Sequence, residues 1–251
     1  MDKIRTTFVA AGHLVACTEP QQSPILNNVA DSLLFAQVTA DTKTSRFESP
    51  AQWLFEHNKA LRALKWVGNE FEAHTFELDE ADTLTVESVV ERALLAALPA
   101  GPVEQVRQAL KCVNDWPDQD AQQLFRHTVL APCTESTGTP EDPEVESAIA
   151  LLLSAFEPNG TLSCLWVSLR TTATLAGSLL RQPVTGKQIK GAVEVQLLRR
   201  EWSAKEYEKV RDKVEAYLSG SQRERILPLK CSTPPDVEQK KTGLPFDPTP
   251  A

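Results

Sequence analysis

Phosphate-binding and nucleophile-elbow signatures are missing from this chain. It holds no GxGxxG, no GxxxxGK[ST] and no GxSxG, so the sequence supports neither a dinucleotide fold, a P-loop NTPase nor an elbow-type hydrolase. Thr185-Gly186-Lys187 lacks the upstream glycine of a phosphate loop and reads as a turn. The five cysteines (Cys17, Cys112, Cys133, Cys164 and Cys231) are odd in number and contain no CxxC pair. That speaks against a disulfide framework and a zinc ribbon, and free thiols in a reducing compartment are expected. The four histidines are scattered, with no HExxH and no His-x-His. Glu104, Asp115, Asp118 and Asp120 follow no calcium-loop spacing. No metal and no dissociable cofactor are expected. No apolar run approaches the ~18 residues that a membrane-spanning helix needs, so no transmembrane segment is expected. Basic residues are also in deficit: 26 Lys and Arg stand against 34 Asp and Glu, a net charge of -8. That balance argues against nucleic-acid partners, which need cations to displace counterions. It argues equally against electrostatic docking on an anionic membrane.

What is present is ordinary globular composition: 251 residues, 41% hydrophobic and 24% charged. Such a length buries a core without staples. Near the start, Leu14-Val15-Ala16-Cys17 has the small-residue shape of a lipoprotein cleavage site. Asp2 spoils the basic start of a signal peptide, and Gly12 and His13 interrupt its apolar stretch. The favoured reading is a first helix that packs Phe8, Val9, Leu14 and Val15 inward. The cytoplasm is the expected location, ahead of secretion or a lipid anchor at Cys17.

Leu26 to Arg46 has apolar residues at three- and four-residue steps and reads as a helix, with Gln37 and Asp41 on its wet side. Ser49-Pro50 opens a second helix to about Val67, with Ser as N-cap and Pro at the first position. Phe71 to Leu78 is a short strand. Thr85 caps a helix carrying Val86, Val89, Val90 and Leu94. Val103 to Val113 and Gln119 to His127 are two more helices. Thr134 to Pro143 is an exposed loop and the one credible internal boundary. Val145 to Phe156 fits either a buried strand or a buried helix. Pro158-Asn159-Gly160 is a turn, and Thr161 to Thr172 a strand apolar on both faces, as a central strand is. Gly191 to Trp202 is a strand with one wet face. Ser203-Ala-Lys-Glu206 is a capping box opening a helix to Ser219. Arg225 to Leu229 is a last strand. The fold class expected is α+β: a helix-rich first half, then a small, mostly antiparallel sheet with packed helices in the second half. Residues 1–230 form one globular domain in this reading, and 231–251, rich in Pro, Lys and Thr, a disordered tail.

Chemistry has few candidates. Glu70 and Glu72 alternate on one strand face and read as a solvated edge rather than an acid–base pair. The tryptophans read as core. Cys164 lies mid-strand among Leu162, Leu165 and Trp166. A buried thiol has a raised pKa and is inert, a small core hydrophobe. The sharper reading has this thiol facing an apolar cavity lined by Leu162, Trp166, Trp53 and Trp202, where it holds an acyl chain as a thioester.

The segment Ile25-Leu26-Asn27-Asn28-Val29-Ala30-Asp31-Ser32-Leu33-Leu34-Phe35-Ala36-Gln37, then Trp53, then Leu61 to Gly68, resembles a bacterial and fungal family typified by the Erwinia virulence factor Evf. Trp202 to Val214, with Tyr207 and Arg211, fits the same family. The similarity spans most of Ile25 to Leu229 and rests on spaced apolar and aromatic positions, with no catalytic signature. It implies an α/β fold of unusual topology, a fatty acid such as palmitate held by a cysteine thioester, and a role in persistence in an insect gut. Cys164, in the central strand of the second half, is the cysteine that would carry the acyl group.

The function expected is that of a virulence-associated protein binding or carrying a fatty acyl group in a buried apolar cavity. The partner is then a fatty acyl group or membrane lipid. The rival is a non-enzymatic membrane-interacting, toxin-type or protein-binding module. No enzyme class is assigned.

Overall fold

The computed structural model describes residues 7–17, 23–76, 79–97, 100–115, 119–132, 137–139, 142–144, 146–175, 179–218 and 220–229. The proposed tail from Cys231 lies outside them.

The first described segment overturns the helix expected there. It is a hairpin of β1 (Thr7–Ala10) and β2 (His13–Cys17), joined at Ala11 and Gly12. Ala11 takes the left-handed conformation at φ 51°. Every residue of both strands is buried. A segment buried on both faces reads as a continuous apolar run, and helix and strand then look alike by periodicity.

Helix α1 (Ser23–Asp41) starts earlier and stops sooner than expected, and α2 (Pro50–Ala63) follows. Pro50 stands at the first turn, but the Ser49 side chain makes no capping bond. The Ser45 hydroxyl instead accepts from the N–H groups of Phe47 and Glu48 in the connecting loop. Next come β3 (Val67–Phe76), the short β4 (Thr83–Leu84) and α3 (Val86–Ala97). Thr85 caps α3 as expected: its hydroxyl accepts from the Ser88 N–H while Ser88 Oγ accepts from the Thr85 N–H. Helices α4 (Ala100–Asp115) and α5 (Gln119–Val129) lead into β5 (Leu130–Pro132). The expected loop carries a small hairpin of β6 (Thr137–Thr139) and β7 (Asp142–Glu144).

The ambiguous segment is a strand, β8 (Ser147–Phe156), followed by β9 (Thr161–Thr171). The turn between them needs Gly160. Its φ is +86°, and a Cβ there would stand 2.5 Å from the Trp202 carbonyl oxygen. A short β10 (Val184–Thr185) and a 3-10 turn at Gly186–Gln188 precede β11 (Ile189–Glu201). The single helix expected after Ser203 is two: α6 (Ala204–Glu208) and α7 (Arg211–Tyr217). Ser203 makes no side-chain capping bond. The Glu206 carboxylate accepts from Lys209 Nζ at 2.7 Å, and Val210 leaves helical geometry at φ -121°. β12 (Ile226–Pro228) closes the order.

α+β stands as the class, but the sheet is neither small nor confined to the second half. Eight strands join in the order β12-β1-β2-β8-β9-β11-β3, with β5 on β8. All these pairings are antiparallel except β2 with β8. One face packs Leu14, Leu151, Leu153, Leu165 and Val167 with the residues of α3, α4 and α5. The opposite face meets α1, α2, α6 and α7. β3 is an edge strand, and Glu72 on it is exposed, as the solvated-edge reading expects.

Gln37 is where the helix reading fails most usefully. Placed on the wet side of α1 by its spacing, it is fully buried. Its Nε2 donates to the Ala10 carbonyl at 2.5 Å, and its Oε1 accepts from the Gly12 N–H at 3.2 Å. Gln37 thus satisfies two backbone groups at the hairpin turn that no strand can reach. Leaving buried groups unpaired costs roughly 1–3 kcal/mol each. Gln37→Ala is expected to lose about 2–4 kcal/mol of stability, read as a lower urea midpoint at unchanged slope. A loss under about 0.5 kcal/mol would contradict this role.

Candidate functional site

The sheet face under α1 and α2 collects polar groups in the middle of an apolar layer. Ser154 on β8 lies directly opposite Cys164 on β9, so their side chains rise side by side from one face. His13 comes from the next strand, in register with Leu152. Its Nε2 is 2.7 Å from Ser154 Oγ and 4.0 Å from Cys164 Sγ. On the other side of Cys164 stands Leu198 of β11. Alternation along β9 puts Leu162, Cys164, Trp166 and Ser168 on the same face.

Helix α2 supplies the roof. Trp53 and His57 are one turn apart and both buried. The Trp53 ring stacks on Trp166 at 5.2 Å and on His57 at 5.1 Å. His57 meets His13 edge-on at 6.3 Å. The roof is pinned from the α1–α2 loop. Arg46, 4% exposed, holds its guanidinium 4.4 Å from the centre of a Trp53 ring and pairs with Asp41 at 3.0 Å. Trp53 Nε1 donates to the same carboxylate at 2.7 Å.

Burial sets the protonation states. It pushes the Cys164 thiol up to about 12, against the pull of the Ser154 hydrogen bond and the Arg200 charge. His13 is pushed down to about 3, first by burial and then by the Arg46 charge. His57 lies well below the usual histidine range, chiefly through burial, with His13, Arg46 and Arg200 adding to it. The site at rest is therefore a neutral thiol beside neutral imidazoles, not a thiolate–imidazolium pair. Four of its polar atoms have no hydrogen-bond partner among the described residues: His13 Nδ1, both ring nitrogens of His57, and Trp166 Nε1.

The sequence-predicted residues divide here. Cys164, Trp166 and Trp53 pack together with Leu54, Leu152 and Leu198. Leu162 and Trp202 belong to the neighbouring aromatic group, where the Trp202 ring lies 6.4 Å from Trp66, 6.3 Å from Phe156 and 5.9 Å from Tyr207. His13, Ser154 and His57 were not singled out from sequence. Their signal was there: His13 and Ser154 each interrupt an otherwise apolar strand, and His57 follows Trp53 by one helical turn.

Of the other cysteines, Cys17 is free and buried, and burial raises its thiol to about 12. Cys112 is disulfide-bonded, which corrects the expectation that all thiols are free. An open cleft of about 290 Å³, lined by Arg46, Phe47, Ser168, Arg170 and Glu194 among others, lies further along the same sheet face. Among the described residues no helix is long and apolar enough to cross a membrane, and no group of three or more His, Cys, Asp and Glu is placed to hold a metal ion.

No family model matches the chain, and no curated protein matches it. Among solved structures, that of the Evf virulence factor is similar, with a TM-score of 0.39 and 9% identity over 84% of this chain and 85% of that one. It is a weak structural resemblance and fixes neither fold nor function.

The buried histidines tie stability to pH. Both have folded pKa values below the unfolded value near 6.5, so the unfolded chain takes up protons first as pH falls. Their contribution is complete above about pH 6.5 and drains as pH falls, down to about 3 for His13, at up to about 1.4 kcal/mol per pH unit for each ring. Urea denaturation from pH 7 to pH 4 is expected to show this slope, and His13→Gln to remove part of it. An identical pH profile in wild type and variant would refute the buried neutral state of His13.

Proposed function

We propose that this protein carries a fatty acyl group as a thioester on Cys164, and that it does so in a virulence-associated role. The observation that supports the acyl reading is the alignment of Cys164 Sγ, Ser154 Oγ and His13 Nε2 on one buried sheet face. The virulence role rests on the sequence resemblance alone.

The chemistry balances as a thioester exchange. With the ring proton on His13 Nδ1, Nε2 accepts from the Ser154 hydroxyl, which in turn accepts from the Cys164 thiol. As Sγ attacks the carbonyl carbon of an acyl thioester donor, the thiol proton passes through Ser154 to Nε2. The donor's C–S bond breaks, and its thiolate leaves with the proton from His13. One C–S bond forms, one breaks, and nothing is oxidised or reduced. His13 takes the proton only as the new C–S bond forms, because a ring held down at about 3 is too weak a base to draw the proton from a thiol at about 12 at rest.

The acyl chain lies between the sheet and the α1–α2 layer in this reading, so the packing around Cys164 must open for it. Each buried methylene contributes ~0.8 kcal/mol, so a sixteen-carbon chain brings on the order of 10 kcal/mol toward that opening. The same burial keeps water from the thioester. The approach we assign is the cleft at Ser168, four residues along β9 and so ~13 Å from Cys164.

Intact-mass measurement of protein made in its native host tests the proposal. The expected result is an adduct near the mass of a palmitoyl group that hydroxylamine removes and that Cys164→Ala lacks. Unmodified wild-type protein, or an adduct that persists in Cys164→Ala, would sink it.

A further inference from the structure

Four unpartnered polar atoms around one thiol are more than a buried core tolerates without cause. A buried polar group left unpaired is disfavoured, and apolar cores are built to avoid it. His57 is 1% exposed and Trp166 is fully buried, yet the indole N–H and both ring nitrogens of His57 have no partner among the described residues.

Their positions are not scattered. Five side chains close a ring of contacts: Cys164 to His13 at 4.0 Å, His13 to His57 at 6.3 Å, His57 to Trp53 at 5.1 Å, and Trp53 to Trp166 at 5.2 Å. Trp166 returns to Cys164 along β9, two residues on and on the same face, a step of ~6.6 Å. Trp53 is the one polar-edged ring of the five whose N–H is already engaged, by Asp41. The indole of Trp166 is a donor only, and a neutral imidazole has one N–H to give. Trp166 and His57 therefore each carry a donor without an acceptor in the cluster around the thiol, and the ring proton placed on His13 Nδ1 is a third.

A carbonyl oxygen has two lone pairs and accepts two hydrogen bonds. We infer that the Trp166 indole N–H and the ring N–H of His57 hold the carbonyl oxygen of the acyl group on Cys164. In the thioester they satisfy the carbonyl. During exchange they stabilise the oxyanion of the tetrahedral intermediate, in a dry site where such donors are worth most. The inference rests on the acyl reading of Cys164 and adds the groups that touch the reacting carbonyl. It also explains why Trp53 is fixed by Asp41 and Arg46: its stacking holds both donors in place.

The test uses the full chain and palmitoyl-coenzyme A labelled with carbon-13 at the carbonyl. Acylation is followed by intact mass, and the thioester carbonyl stretch by isotope-edited infrared spectroscopy. Trp166→Phe keeps a stacking ring but removes the N–H, and His57→Phe does the same for the other donor. Each variant is expected to slow acylation by about 10²-fold and to shift the carbonyl stretch to higher wavenumber. Thermal unfolding confirms that the variants fold, and the infrared shift reports the lost hydrogen bond even where packing also changes. Wild type that accepts no acyl group overturns the acyl reading and this inference with it. Wild type that is acylated, with variants matching its rate and carbonyl frequency, overturns this inference alone and leaves the four atoms to buried water.

Discussion

Pairing between β8 and β9 carries the rest of the molecule. Ser147 to Phe156 run against Thr171 to Leu162 in unbroken register, and nearly every residue on either strand is buried. A strand covered on both faces has no freedom to slip, because a shift of one residue would send each side chain to the opposite layer. With β8 and β9 fixed, β11 adds on one side and the β1–β2 hairpin on the other. The helices then sort onto two faces: α3, α4 and α5 below, α1, α2, α6 and α7 above. The same register fixes Ser154 opposite Cys164, so the site is a consequence of the pairing and not an addition to it.

The two faces differ in kind. The lower one is mostly aliphatic in its strand positions, including Leu151, Leu153, Leu165 and Val167, with Ser163 and Thr171 among its buried polar residues. The upper one admits His13, Ser154, Gln37, Arg46 and His57 to full or nearly full burial. Gln37 and Arg46 are bound: the first closes the hairpin turn, the second pairs with Asp41 and covers Trp53. His57 and Trp166 are not bound within the described chain, and the Cys164 thiol and the Ser154 hydroxyl are the nucleophiles beside His13 in the same cluster. Stability and function pull apart at that point. Polar groups in a packed layer are disfavoured unless satisfied, and a bound acyl carbonyl is the group we propose to satisfy them.

Much of this was legible in the sequence where local signals were strong. The Thr85 cap, the turn at Pro158-Asn159-Gly160 and the two-faced strand that follows it are read from residue type and spacing. What failed did so for physical reasons. The segment from Phe8 to Val15 is buried on both faces, so it carries no period to separate strand from helix. The helix after Ser203 has the right cap residues, but Glu206 turns outward to Lys209 and the helix breaks at Val210. Gln37 looked wet because its partners, Ala10 and Gly12, are distant in sequence. The candidate site was half visible. Cys164, Trp166 and Trp53 were picked out, but Leu162 and Trp202 fell into a neighbouring aromatic group. His13, Ser154 and His57 entered only once strand pairing brought them to the thiol.

The central claim is that Cys164 sits in a dry, neutral polar cluster whose histidines stay uncharged well below the ordinary histidine pKa. Nitrogen-15 NMR of labelled histidine rings reads this directly, since ring shifts separate neutral from protonated imidazole. Between pH 7 and pH 5 the resonances of His13 and His57 are expected to remain those of neutral rings. Titration of either ring near pH 6.5 would mean that water reaches the cluster, and would contradict the account.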